Sequence, residues 1–187
     1  MCLLLLDLMA GHLPTYDPDG VLVTRWNAAA DAARANGVPV IFVRVAFRAG
    51  YPDVSDENRV FAAVRDAGRL SESDAATAIH PAVAQDAKDI VVTKRRISAF
   101  AGSDLDVLLR SLRVDALVLA GLSTSGVVLA TLIEAADRDY GLTVLGDACA
   151  DPDTELHHAL VERFFPQRAV VTTTASWIDR IAGTQTT

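Results

Sequence analysis

Residues 116–128 read Ala116-Leu-Val-Leu-Ala120-Gly121-Leu-Ser-Thr-Ser-Gly126-Val-Val128. Ala116–Ala120 is apolar without alternation at strand length, which implies a strand covered on both faces, the habit of parallel sheets. Gly121 to Gly126 is a turn of small residues. From Val127 onward, Val128, Thr131, Leu132, Ala135 and Ala136 recur at helical spacing until Tyr140-Gly141, a helix stop. A buried strand running through a short turn into an amphipathic helix is half of a βαβ unit.

The same alternation extends in both directions. Cys2–Leu6 is a first strand. Asp19 to Asn36 forms a helix with Leu22, Trp26, Ala29, Ala30 and Ala33 on one face and Gly37 as its stop, and Val38–Val45 returns as a strand. Further on come a strand at Ile90–Thr93, a helix at Ser103–Leu112 and a strand at Leu142–Leu145. A helix capped by Asp153 follows, with Leu156, Leu160, Val161 and Phe164 on its face, then a strand at Ala169–Thr172 and a short terminal helix. The expected architecture is α/β: a doubly wound, mainly parallel six-stranded sheet with helices on both faces, in one domain over residues 1–187. Ala46–Ile79 breaks the pattern with Gly50, Tyr51-Pro52 and Gly68, apart from a short helix at Asn58–Ala67. An insertion of that length is either a lid or pocket wall or a packed surface loop.

Composition narrows the partners. With 24 acidic against 17 basic residues the net charge is −7, and Lys94-Arg95-Arg96 is the one dense basic run, so nucleic acid is not an expected partner. The apolar start ends at Asp7 and lacks a basic leader, which is too short for a membrane span and unlike a signal peptide. A cytoplasmic protein with no membrane partner is expected, its Cys2 and Cys149 reduced and structural.

Ligands in open α/β sheets bind beyond the carboxyl ends of the strands. Asp7, Lys94 and Gly121–Ser125 each follow directly on a strand, so three strands deliver a carboxylate, an ammonium and a glycine-led turn to one edge. Burial would raise the Asp7 pKa and Lys94 would lower it. The pair reads either as a proton-handling couple or as a structural ion pair. In the turn, Thr124 or Ser125 is available as a helix cap, and free N–H groups there would favour a developing oxyanion. Ser125 reads as a cap before it reads as a nucleophile, and Cys149 as an inert thiol. His157 and His158, about 100° apart on a helix, do not make a metal pair. Phe47, Tyr51 and Phe100 are candidates for an apolar pocket wall or for the core.

These segments resemble the isochorismatase-like cysteine hydrolases, which place an Asp after strand one, a Lys after strand three and a Gly-x-x-Thr-x-x-Cys-Val turn after strand four. Asp7, Lys94, Gly121, Thr124 and Val128 stand at the matching places, and Ile79-His80-Pro81, Val91–Lys94 and Ser98-Ala99-Phe100 are similar too. The resemblance implies a small-molecule substrate, a homodimer or higher homo-oligomer, catalytic roles for Asp7 and Lys94, and an oxyanion-binding turn at Leu122, Ser123, Thr124, Ser125 and Gly126. A cis peptide at Leu122–Ser123 is implied as well. Three departures fall at the pocket. Met9 replaces the usual Gln, and Ala46-Phe47-Arg48 stands where one branch holds a metal, so neither metal nor cofactor is expected. Val127 occupies the nucleophile position, and an isopropyl group cannot attack a carbonyl carbon. Two readings follow: a hydrolase using Asp7 and Lys94 without a thiol, or a catalytically inactive ligand-binding or regulatory protein on the same fold.

Overall fold

The computed structural model describes residues 1–17 and 19–183. Six strands form one sheet: β1 (Cys2–Leu6), β2 (Val40–Val45), β3 (Ile90–Lys94), β4 (Ala116–Leu122), β5 (Gly141–Ala150) and β6 (Val170–Thr172). Their order is β3-β2-β1-β4-β5-β6 and every pairing is parallel. The chain begins in the middle, winds out to β3, then returns to β4 and winds the other way. The reversal lies between β1 and β4, and a crevice opens at their carboxyl ends.

Strand β1 shows why its apolar run is unbroken. Cys2, Leu4 and Leu6 enter one apolar cluster, and Leu3 and Leu5 enter another on the opposite face, as the period of two requires. The first cluster packs under α4 (Leu105–Ser111) and α5 (Leu129–Ala136), and the second under α2 (Val21–Ala35) and α7 (Thr174–Gly183). Trp26 and Trp177 anchor the second cluster almost wholly buried, and the Trp26 indole donates to Ala148 O at 2.8 Å. The doubly wound arrangement expected from the alternation is the one observed.

The boundaries differ in instructive ways. Strand β2 starts at Val40, because Val38 N donates back to Ala33 O at the end of α2. Strand β5 runs ten residues to Ala150, where the sequence suggested an end at Leu145. The reason is a register shift between Leu119 and Gly121 that lets pairing resume at Gly121–Cys149, past Gly146-Asp147. The helix read from Val127 begins instead as one wide turn at Thr124–Val128 that feeds α5. The helix read at 156–164 is α6 (Thr154–Ala159) followed by a looser turn, and Leu156 on it is exposed. Asp153 caps it through Leu156 N at 2.9 Å, as its position suggested. Within the insertion, α3 (Arg59–Asp66) forms with Asn58 accepting from Phe61 N. The insertion is no loose loop: Met9, Val45, Phe47, Phe61 and Leu70 make a third apolar cluster there.

Candidate active site

The site is assembled at the switch point by close approach of backbones. Leu6 of β1 lies opposite Gly121 of β4. A Cβ on Gly121 would collide with Leu6 O, and its φ is +148°, so only glycine fits. Directly beyond, Asp7 turns out of the strand with φ +56° while its N–H still bonds Val43 O at 2.8 Å. That turn swings its carboxyl across the end of β2 toward Lys94, the last residue of β3.

Lys94 Nζ meets Asp7 Oδ2 at 2.9 Å. Both residues are buried, at 2% and 5% exposure. The ammonium also donates to Arg96 O and Ile97 O, each at 3.0 Å. Asp7 Oδ1, by contrast, is buried and has no hydrogen-bond partner. Burial pushes the Asp7 carboxyl above its ordinary 3.8, and the adjacent Lys94 charge pulls it partly back. What results is a carboxylate more basic than an exposed one, with one oxygen held and the other buried without a partner.

A cavity of about 260 Å³ sits over this pair. From the turn after β4 it takes Leu122, Ser123, Gly126 and Val127. The peptide between Leu122 and Ser123 is cis. Helix α3 contributes Val60, Phe61 and Val64, so the insertion does wall the site. Two further polar residues, His12 and Tyr16, enter from the segment that follows Asp7. His12 immediately precedes and Tyr16 ends the short helix α1 (Leu13–Tyr16), which folds back over the end of β1. Burial lowers the His12 pKa from 6.5 against the pull of Asp7, and burial raises that of Tyr16. Neither residue was singled out from the sequence. The available signal was Pro14, which suits a first helical turn and would bring its neighbours back to the strand end.

The three candidate wall residues, and Met9 at the place of the family's Gln, sit elsewhere. Met9 and Phe47 are fully buried in the third cluster, with Tyr51 packed on Phe47 at a ring distance of 6.2 Å. Phe100 lies in the first cluster, stacked on Tyr140 and beneath Arg138. None of the four lines the cavity. Large apolar side chains bury wherever area can be removed from water, and the nearest cores took them.

In the turn, Thr124 and Ser125 do not face the cavity either. The Thr124 hydroxyl is bonded to His157 Nδ1 at 2.8 Å, which gives His157 a packing role. The Ser125 side chain is not the cap. Its N–H is instead satisfied by Asp151 Oδ2 at 2.7 Å, delivered by the long β5. Cys2 and Cys149 are buried, and burial pushes both thiols up to about 12. Neither lines the cavity. Among the described residues no group of three or more His, Cys, Asp and Glu side chains is placed to hold a metal ion, and no helix is long and apolar enough to cross a membrane.

Comparison with known proteins places this geometry in context. The isochorismatase domain model matches residues 1–176. The isochorismatase family protein YecD of Escherichia coli O157:H7 is 34% identical over 175 residues, covering 90% of this chain and 89% of that protein. A maleamate amidohydrolase of Pseudomonas putida is 30% identical over 164 residues, covering 84% and 75%. Among solved structures, a cysteine hydrolase from Pseudomonas syringae pv. phaseolicola superposes with a TM-score of 0.88 at 25% identity, covering 97% of this chain and 92% of that one.

Proposed function

The chain belongs to the isochorismatase family of hydrolases, and from that premise we propose that it hydrolyses a small molecule through Asp7, with Lys94 as electrostatic partner and no covalent thiol intermediate. The observation that carries this reading is the unpartnered oxygen of Asp7: in a residue that lines the cavity, Oδ1 is buried without a hydrogen-bond partner, while Lys94 holds Oδ2 at 2.9 Å. The valine at the nucleophile position and the two inert thiols support a mechanism in which water attacks directly.

In this mechanism Asp7 Oδ1 accepts a proton from water as the water oxygen bonds to the substrate carbon. Lys94 fixes the carboxylate through Oδ2. The protonated Asp7 then returns that proton to the departing nitrogen or oxygen as its bond to carbon breaks, which regenerates the carboxylate. Ser123 and Tyr16 present hydroxyls to the same cavity and can donate to the carbonyl oxygen as charge develops on it. The similarity to a maleamate amidohydrolase supports an amide as the bond cleaved.

A panel of amides, esters and vinyl ethers, assayed on the wild-type protein and on Asp7→Asn, tests the proposal. Removing a general base costs about 10²–10⁴-fold, so kcat/KM for any substrate turned over is expected to fall by at least about 100-fold. Turnover that survives Asp7→Asn unchanged would remove Asp7 from the mechanism. A ligand that raises the melting temperature with no turnover anywhere in the panel would support the non-catalytic reading.

A further inference from the structure

Resting on the assignment of Asp7 and Lys94 as the reactive centre, we infer that the cavity selects an uncharged, largely apolar small molecule presenting one N–H or O–H donor to Asp7, and discriminates against carboxylates. Charge carries the argument. An ammonium has three donors, and those of Lys94 are taken by Asp7 Oδ2, Arg96 O and Ile97 O. None is left for a substrate anion, and at 2.9 Å the two charges cancel.

Among the described residues no other cation lines the wall. Burial favours the neutral form of His12. The neighbouring guanidiniums point elsewhere: Arg95 bonds Ala46 O and Glu72, Arg96 bonds Arg95 O at 2.6 Å, and Arg44 bonds Thr93 Oγ1 at 3.1 Å. Arg69 acts on His12 through its charge but lies outside the wall, and the Asp151 carboxylate acts on Tyr16 with the opposite sign. An entering carboxylate would therefore give up its hydration for a site that returns no charged partner and already holds the Asp7 carboxylate.

What the cavity does offer is a carboxylate acceptor, neutral polar groups at His12, Tyr16 and Ser123, and an apolar body. Asp7 Oδ1 is the buried oxygen without a partner. Around it stand Val60, Phe61, Val64, Leu70 and Ile97, with Val127 in place of a reactive group. The volume of about 260 Å³ falls just below the range of about 300–1,000 Å³ in which drug-sized ligands bind, which sets a molecule of about one ring as the upper size.

Isothermal titration with benzamide and benzoate, alike in shape and different in charge, tests this on the intact protein. Wild type is expected to bind benzamide at least about 10-fold more tightly than benzoate. Val60→Arg, at a wall residue that is 56% exposed, adds the missing cation without disturbing the core. It is expected to shift the ratio of benzoate to benzamide affinity by about 10-fold or more toward benzoate. Asp7→Asn uncovers the Lys94 charge and is expected to invert the preference. Benzoate binding wild type as tightly as benzamide overturns the inference, and so does binding of neither compound up to its solubility limit. Benzoate binding that Arg69→Ala abolishes overturns it by identifying a cation that serves the site. Because these readouts need no turnover, a protein that prefers benzamide yet hydrolyses nothing contradicts the catalytic proposal and leaves the selectivity standing.

Discussion

Val127 is where the proposed mechanism parts from that of a cysteine hydrolase, and its environment makes that departure testable. It lines the cavity at 3% exposure beside Asp7 and Lys94. Valine and cysteine are close in volume, so Val127→Cys is expected to cost less than about 1.5 kcal/mol of stability. The new thiol would face the open cavity near an ammonium, while Cys2 and Cys149 are held at about 12 by burial. Under native conditions with iodoacetamide, peptide mass spectrometry is expected to find residue 127 alkylated well before either natural cysteine. Labelling no faster than theirs would mean the turn does not present residue 127 to the site. At this scale the sequence was half legible. Asp7 and Lys94 could be picked out because each is tied to the end of an apolar run, and Val127 through the resemblance of the turn that precedes it to the family's. His12 and Tyr16 could not, since their place depends on a four-residue helix folding back over β1, which no periodicity records. Aromatic residues misled for a related reason: burial area draws Phe47 and Phe100 inward regardless of any pocket.

Among the elements, the turn after β4 shows a site held by its neighbours. Its own serines and threonine look like caps, yet the Ser125 N–H is capped by Asp151 and the Thr124 hydroxyl is bonded to His157. Both partners arrive from the far end of the extended β5 and from α6. Asp151→Ala is expected to destabilise the protein by about 0.5–2 kcal/mol, the usual cost of losing a helix-start acceptor, as measured by urea unfolding. If the turn were self-capped, that loss would be negligible. Helix α3 is the complementary case, a short helix read at Asn58–Ala67 in an insertion that the sequence left open between a pocket wall and a packed surface loop. Phe61 is 5% exposed, lines the cavity and packs edge-on against Phe47 at 5.1 Å. Its truncation to alanine is expected to cost about 3–5 kcal/mol in the same assay. An unchanged midpoint would mean the third apolar cluster contributes little.

For the molecule as a whole, sheet order is what turns scattered residues into a site. Starting at the centre of the sheet and winding outward twice leaves β1 and β4 adjacent, with β3 one strand beyond β2. Only in that order do Asp7 and Lys94, 87 positions apart by their numbers, close to 2.9 Å over the turn at Gly121. The alternation of buried strands and amphipathic helices was enough to foresee a doubly wound sheet, because burial on both faces leaves a pattern in the chain. The lengths of β4 and β5 were not foreseeable, because a bulge lets pairing continue past Gly146-Asp147, which reads as a turn. The central claim is that a buried carboxylate with one unpartnered oxygen does the work a thiolate does elsewhere. Burial raises the Asp7 pKa above 3.8, and a general base is active only when deprotonated. Activity should therefore climb as pH rises through that elevated value and fade below it. The decisive measurement is kcat/KM against pH for wild type, Asp7→Asn and His12→Gln. An acidic limb above 3.8 that His12→Gln retains and Asp7→Asn abolishes is the expected result. A limb that Asp7→Asn leaves in place, or a rate that falls as pH rises through that range, would contradict it.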